Sequence, residues 1–168
     1  EIAVTVNAGY VMPAWYDILE MNALGRKVDH AGIVTSVAQI AALVNQQNVL
    51  GIPSNRIFLA GFSQGGAIAY QTALTYSERL AGVIALSTYV PDLAQLEQAF
   101  QPVQMQLPLF VAHGLYDDVV IPTLGKQAYN LVTRLECNAE WHEYPMAHNV
   151  CAEQIADIGQ WLTEQLND

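Results

Sequence analysis

Ser63 stands in Gly61-Phe62-Ser63-Gln64-Gly65, a G-x-S-x-G pattern, and Asp117, Asp118 and His148 lie downstream of it. Together these residue types point to acyl transfer. A serine hydroxyl is a weak nucleophile, so a histidine must take its proton and a carboxylate must hold that histidine in the right tautomer. With all three in place, Ser63 would attack a carbonyl carbon, form an acyl-enzyme and pass the acyl group to water. Glycines two residues either side of the serine remove side chains that would collide in the sharp strand-to-helix turn such a nucleophile needs. The helix opening after the turn directs its partial positive end at the serine oxygen. A glycine-rich turn with a capping serine is the bland alternative.

Four histidines compete for the role of base. On a turn of this kind the chain order is serine, acid, histidine, each in a loop after a strand at the same sheet edge. His30 precedes the serine. His113 ends a strand and leaves no room for the acid before it, so it reads as a satisfied structural histidine. His142 falls within a strand. His148 lies between the last strand and the last helix and is the expected base. For the acid, the turn after the strand Leu107–His113 offers Asp117 and Asp118, and only one can face His148. Asp92 follows Pro91 and reads as a helix N-cap. The backbone N–H of Gln64 is the expected oxyanion donor, and a second donor is not identifiable from the residues.

The elements that must position these groups are legible as short apolar runs alternating with helix-period segments, the pattern of a mostly parallel α/β sheet flanked by helices. Ile33, Val37, Ile40 and Val44 make one apolar face of a helix over 29–49, which Gly51 and Pro53 end. A buried strand over 57–60 leads into the serine turn, and a helix over 65–76 follows. Strands are expected over 82–86, 107–113 and 139–144. The intervening helices carry Leu93, Leu96 and Phe100, then Leu124, Ala128, Leu131 and Leu135, and the last is marked by Ile155, Ile158 and Leu162. Ahead of them, Ile2–Val6 alternates like an edge strand, and 9–18 reads as a loop whose Met12, Trp15 and Tyr16 wall a pocket or cover the core.

At 168 residues the chain is read as a single domain over 1–168, long enough to hide roughly 70% of its unfolded surface. An apolar share of 52% with 13% charged residues excludes a disordered chain. The net charge of −10 arises from having only six Lys and Arg residues, with no basic stripe for a phosphate backbone. Nucleic acid and anionic membrane are therefore poor partners, and no stable membrane association is expected. No apolar run approaches bilayer length, and the first residues lack a signal-peptide pattern, so a cytoplasmic protein is expected. Cys137 and Cys151 read as two free thiols, too few for a zinc site. No metal and no organic cofactor is expected, and the partner is a small ester substrate.

These residues resemble the carboxylesterase, lysophospholipase and acyl-protein thioesterase family of small α/β-hydrolases. The resemblance rests on Gly51-Ile52-Pro53, Arg56-Ile57, Gly61-Phe62-Ser63-Gln64-Gly65-Gly66, Leu80-Ala81-Gly82-Val83, His113-Gly114 with Asp117, and Tyr144-Pro145-Met146 with His148. It implies an α/β-hydrolase fold and a carboxylesterase acting on short to medium acyl esters, with lysophospholipase or acyl-protein thioesterase as the alternative. It prefers Asp117 over Asp118 as the acid. It places Met12-Pro13 and Trp15-Tyr16-Asp17 near an acyl pocket, with Tyr89 lining it, so Met12, Trp15 and Tyr89 are the expected substrate-binding residues. Ala147, where the family usually has glycine, and Asn149 are mild departures. The resemblance also implies roughly a quarter of the family's length ahead of Glu1, with early strands and a His-Gly-x-Gly loop carrying the second oxyanion donor. It further implies pairing into homodimers. The competing reading of another class is a non-catalytic module that keeps the triad letters without a working oxyanion hole.

Overall fold

Alternate residues of a strand face opposite sides of a sheet, and the apolar runs here are continuous, so both sides must be covered. The computed structural model describes residues 1–22 and 25–167 and has this arrangement. Two short antiparallel ribbons come first: β1 (Ile2–Val4) pairs with β2 (Tyr10–Met12), and β3 (Ile18–Asn22) with β4 (Gly25–Val28). Helix α1 (His30–Val49) follows, capped by the Asp29 side chain, which accepts from the Ala31 N–H. Then come β5 (Phe58–Phe62), α2 (Gln64–Thr75), β6 (Gly82–Leu86), α3 (Leu93–Ala99), β7 (Pro108–Gly114), α4 (Pro122–Arg134), β8 (Asn138–Tyr144) and α5 (Ala152–Asn167). Strands β5, β6, β7 and β8 form one parallel sheet in that order.

Val83, Ala85, Leu109 and Val111 face one side of the sheet and pack with Ala69, Tyr70 and Leu74 of α2, Leu96 of α3 and Leu131 of α4. Ile84, Phe110 and Ala112, one residue out of step, face the other side and pack with Trp161 of α5. A third cluster joins Tyr16 and Val28 to Ile33 of α1 and Ala67 and Ile68 of α2. Full burial of each such large side chain stabilises by about 1.5–3 kcal/mol relative to exposure. No helix among the described residues is long and apolar enough to cross a membrane.

The structure departs from the sequence expectations in several places: the strand expected over Ile2–Val6 stops at Val4, and Thr5–Asn7 closes into a 3-10 turn. The 9–18 segment is not all loop, since Tyr10–Met12 pairs with β1 in a hairpin. The β3–β4 ribbon has no period-2 signature in the sequence and was not expected. Strand β5 runs two residues further than the apolar run, because Gly61 and Phe62 still pair with Ala85 and Leu86. On α5, Ile155 points outward at 56% exposure, while Gln154 and Trp161 are buried and Ile158 and Leu162 pack against the core. Trp161 sets the helix phase by filling the space over Phe110, ring centroids 5.9 Å apart.

Candidate active site

Ser63 lies between the last residue of β5 and the first of α2 with φ 53° and ψ −121°. A non-glycine residue held there costs of order 1–3 kcal/mol and persists only when its surroundings over-determine it. The surroundings here do so. The Ser63 N–H donates to the Leu86 carbonyl at 2.9 Å, and the Ser63 carbonyl accepts from Gly66 N at 3.0 Å and from Thr88 Oγ1 at 2.6 Å. A Cβ on Gly61 would lie 2.2 Å from the Gly65 carbonyl oxygen, and one on Gly66 would lie 2.6 Å from Thr88 Cβ. The glycines thus let strand and helix meet closely enough to force the serine outward.

Asp117 and His148 come from the loops after β7 and β8, which lie side by side. Leu115 N–H donates to the Tyr144 carbonyl and Tyr116 N–H to the Met146 carbonyl, stitching the two loops together. Asp117 is 3% exposed whereas Asp118 is exposed, which separates the two candidates. One Asp117 oxygen, Oδ1, accepts from Val119 N at 3.0 Å and Val120 N at 2.8 Å. The other, Oδ2, is 2.7 Å from His148 Nδ1, and His148 Nε2 is 3.0 Å from Ser63 Oγ. A carboxylate can only accept, so Nδ1 carries the proton and the Nε2 lone pair is left for the serine hydroxyl. Phe62 tilts over the imidazole, ring centroids 4.7 Å apart, and fixes its plane from the β5 side.

Gly114 sets the distance between these loops. A Cβ there would stand 2.4 Å from the Ala147 carbonyl oxygen and 2.5 Å from that of Met146, the two residues before His148. Gly114→Ala must push the histidine loop away, and overpacking of this kind costs about 1–3 kcal/mol. Thermal unfolding should show that loss together with a lower kcat on a p-nitrophenyl ester. Unchanged values of both would mean that the loop gives way freely.

His113, expected to be a satisfied structural histidine, is only half satisfied. Its Nε2 is 2.7 Å from the Val120 carbonyl, which can only accept, so the proton is on Nε2. Nδ1 is buried without a partner among the described residues, and a Cβ on Gly125 would stand 2.3 Å from it. Nε2 is also 3.5 Å from Asp117 Oδ2, so two imidazoles approach the same carboxylate oxygen. Burial holds His113 below the ordinary histidine range, although the Val120 carbonyl and the Asp117 carboxylate pull the other way. Unfolded, this side chain gains its proton near pH 6.5; folded, it does so only at lower pH. Stability should therefore fall as pH drops below about 6.5, this group supplying up to about 1.4 kcal/mol per pH unit. Denaturant unfolding from pH 7.5 to 5.5 should give a shallower slope for His113→Gln than for the parent, and equal slopes would refute the assignment.

An open cleft of about 830 Å³ lies beside Ser63, lined by Pro13, Trp15, Tyr16, Phe62 and Gln64 among others. Of the expected substrate-binding residues, the structure brings Trp15 to this cleft. Tyr89 is buried instead, its hydroxyl 2.7 Å from that of Tyr16 and its ring under the Arg26 guanidinium at 4.7 Å. Burial raises both phenols above the ordinary tyrosine range, so the pair stays neutral. Met12 is not among the residues lining this cleft; its sulfur accepts from Asn7 Nδ2 within the first hairpin. Gln64 is the first residue of α2, where a backbone N–H has no carbonyl behind it in the helix.

The remaining candidates are placed away from the serine. Asp92 caps α3, accepting from Gln95 N. His142 stacks on Phe110 at 4.2 Å, and His30 is the first residue of α1. Burial pushes the Cys137 thiol up to about 11. Among the described residues no cluster of His, Cys, Asp and Glu is arranged to hold a metal ion. Thr88 and Phe62 were missed as site residues, since neither carries a motif of its own and each acts through a contact across the sheet.

A serine on a strained strand-to-helix turn at the carboxyl edge of a parallel sheet, helices on both faces, defines an α/β-hydrolase. The chain belongs to the phospholipase/carboxylesterase family, whose pattern matches residues 1–166, and it is a carboxylesterase-type hydrolase. Acyl-protein thioesterase 1 of Neurospora crassa is 40% identical over 172 residues, covering 98% of this chain and 70% of that protein. Acyl-protein thioesterase 1 of Yarrowia lipolytica is 34% identical over 168 residues, covering 98% and 74%. The crystal structure of Arabidopsis thaliana SOBER1 superposes with a TM-score of 0.92 at 26% identity, covering 98% of this chain and 80% of that one.

Proposed function

We propose that the chain hydrolyses acyl thioesters, and short to medium acyl esters by the same route, through an acyl-enzyme on Ser63. The observation that carries this reading is the continuous line from Asp117 Oδ2 through His148 to Ser63 Oγ, at 2.7 and 3.0 Å. His148 takes the hydroxyl proton as Ser63 attacks the carbonyl carbon. Asp117 stabilises the imidazolium without taking its proton, and His148 then protonates the departing thiol or alcohol. Water, deprotonated by His148, releases the acid. The Gln64 N–H, at the positive end of α2, is an oxyanion donor. Thioesters are put first because relatives at 34% and 40% identity carry that activity in their names.

The test is the intact mass before and after treatment with a fluorophosphonate, followed by mapping of the adduct. One adduct on Ser63 supports an activated nucleophile; no adduct would favour a non-catalytic module. Comparing kcat/KM for an octanoyl thioester and its oxygen-ester counterpart then ranks the substrates. A higher value for the oxygen ester would overturn the thioester preference and leave the esterase.

A further inference from the structure

We infer that the Gln64 side chain is a positioning residue that clamps the Trp15–Tyr16 segment onto the nucleophile turn, so that cleft wall and serine are held as one unit. The inference rests on the proposed hydrolysis at Ser63 and adds a determinant of how acyl groups are accommodated there.

The segment between β2 and β3 has no sheet partner, so its backbone groups must be satisfied individually. Gln64 satisfies two of them. Its Oε1 accepts from Trp15 N at 2.8 Å, and its Nε2 donates to the Tyr16 carbonyl at 2.7 Å. An amide N–H can only donate and a carbonyl can only accept, so the side-chain amide has one possible orientation. It engages the segment as a neighbouring strand would, across 49 positions of the chain.

The rest of the segment is fixed from the opposite side. Tyr16 is fully buried in the cluster with Val28, Ile33, Ala67 and Ile68, and the Trp15 carbonyl accepts from Ser36 Oγ of α1. Trp15 is 40% exposed and lines the cleft with Ser63. Its indole nitrogen would stand 3.3 Å from a Cβ on Gly65, so the absence of a side chain at Gly65 lets the ring lie on the turn. Gln64, the residue bonded to Ser63, is thus the polar link between the indole wall and the nucleophile turn. The pairing needs an acceptor and a donor on one planar group: glutamate keeps the acceptor and loses the donor, and methionine, of similar length, loses both.

The test combines hydrogen exchange with kinetics on Gln64→Met, with Gln64→Glu, which keeps only the acceptor, as the second variant if the first fails to fold. Exchange of the Trp15 amide should accelerate in Gln64→Met, because the Trp15 N–H loses its acceptor. KM for p-nitrophenyl octanoate should rise roughly three- to tenfold, the loss of one or two ordinary hydrogen bonds. That rise should exceed the fall in kcat, and Trp15 exchange should rise less in Gln64→Glu, which keeps the acceptor for the Trp15 N–H, than in Gln64→Met. Unchanged exchange would overturn the clamp itself. Faster exchange with KM unmoved would reduce it to a structural brace and overturn the positioning role. Failure of the unsubstituted protein to take a fluorophosphonate on Ser63 would instead overturn the hydrolytic reading, and the exchange result would stand apart from it.

Discussion

Ser63→Ala should lower kcat for ester hydrolysis by on the order of 10⁶, the loss seen when the nucleophile of a serine triad is removed. The size follows from the geometry. His148 Nε2 is aimed at one oxygen only, and with that oxygen gone the imidazole has nothing to activate but water in an arrangement built for a side chain. The substitution is small, and the turn is held by the Ser63 backbone N–H and carbonyl, which alanine keeps. The variant should therefore unfold at close to the parent temperature. Steady-state hydrolysis of p-nitrophenyl octanoate, with a fluorophosphonate control that leaves the variant mass unchanged, checks the result. Activity within tenfold of the parent would place the nucleophile elsewhere.

Asp117→Asn should lower kcat by about 10⁴ while leaving the fold intact, as loss of the orienting charge does in other serine triads. The orientation of the new amide is dictated in advance. Val119 N–H and Val120 N–H both donate to Oδ1, so the amide oxygen must stay there and its NH₂ must take the place of Oδ2. That NH₂ faces His148 Nδ1, which must then give up its proton to become an acceptor. The proton moves to Nε2, and Nε2 can no longer take one from Ser63. Asp118→Asn is the matched control: the side chain is exposed, and the rate should stay within about twofold, as for surface substitutions away from special features. A larger loss for Asp118→Asn than for Asp117→Asn would reverse the assignment.

The serine turn was legible because Gly61 and Gly66 are demanded by contacts that admit no Cβ, and such demands leave a pattern in sequence. Helix α1 was legible at both ends for a similar reason, with Asp29 supplying its cap and Gly51 adopting a positive φ of 91°. The choice between Asp117 and Asp118 was not legible from the residues alone. It is made by a loop that turns one carboxylate inward onto two backbone N–H groups, and the family resemblance anticipated an outcome that local chemistry left open. Strand β1 was legible in the alternation of Ile2–Val6, but its partner β2 and the β3–β4 ribbon escaped notice, because strands of three to five residues, paired only with each other, have no need of a strict apolar alternation. Tyr89 looked like a pocket residue, and its partner Tyr16 lies 73 positions away, beyond the reach of any local pattern.

The 3.0 Å link between His148 and Ser63 joins residues 85 positions apart, one following β5 and the other following β8, the outer strands of the described sheet. It acts as a caliper closed across the full width of four strands. A slip or splay at any of the three strand pairings opens the jaws by more than a hydrogen bond tolerates, while the helices above and below keep their own backbone bonds. Hydrolysis should therefore be a finer gauge of sheet integrity than helical dichroism, and under rising denaturant the catalytic signal is expected to fade at a lower concentration than the spectroscopic one.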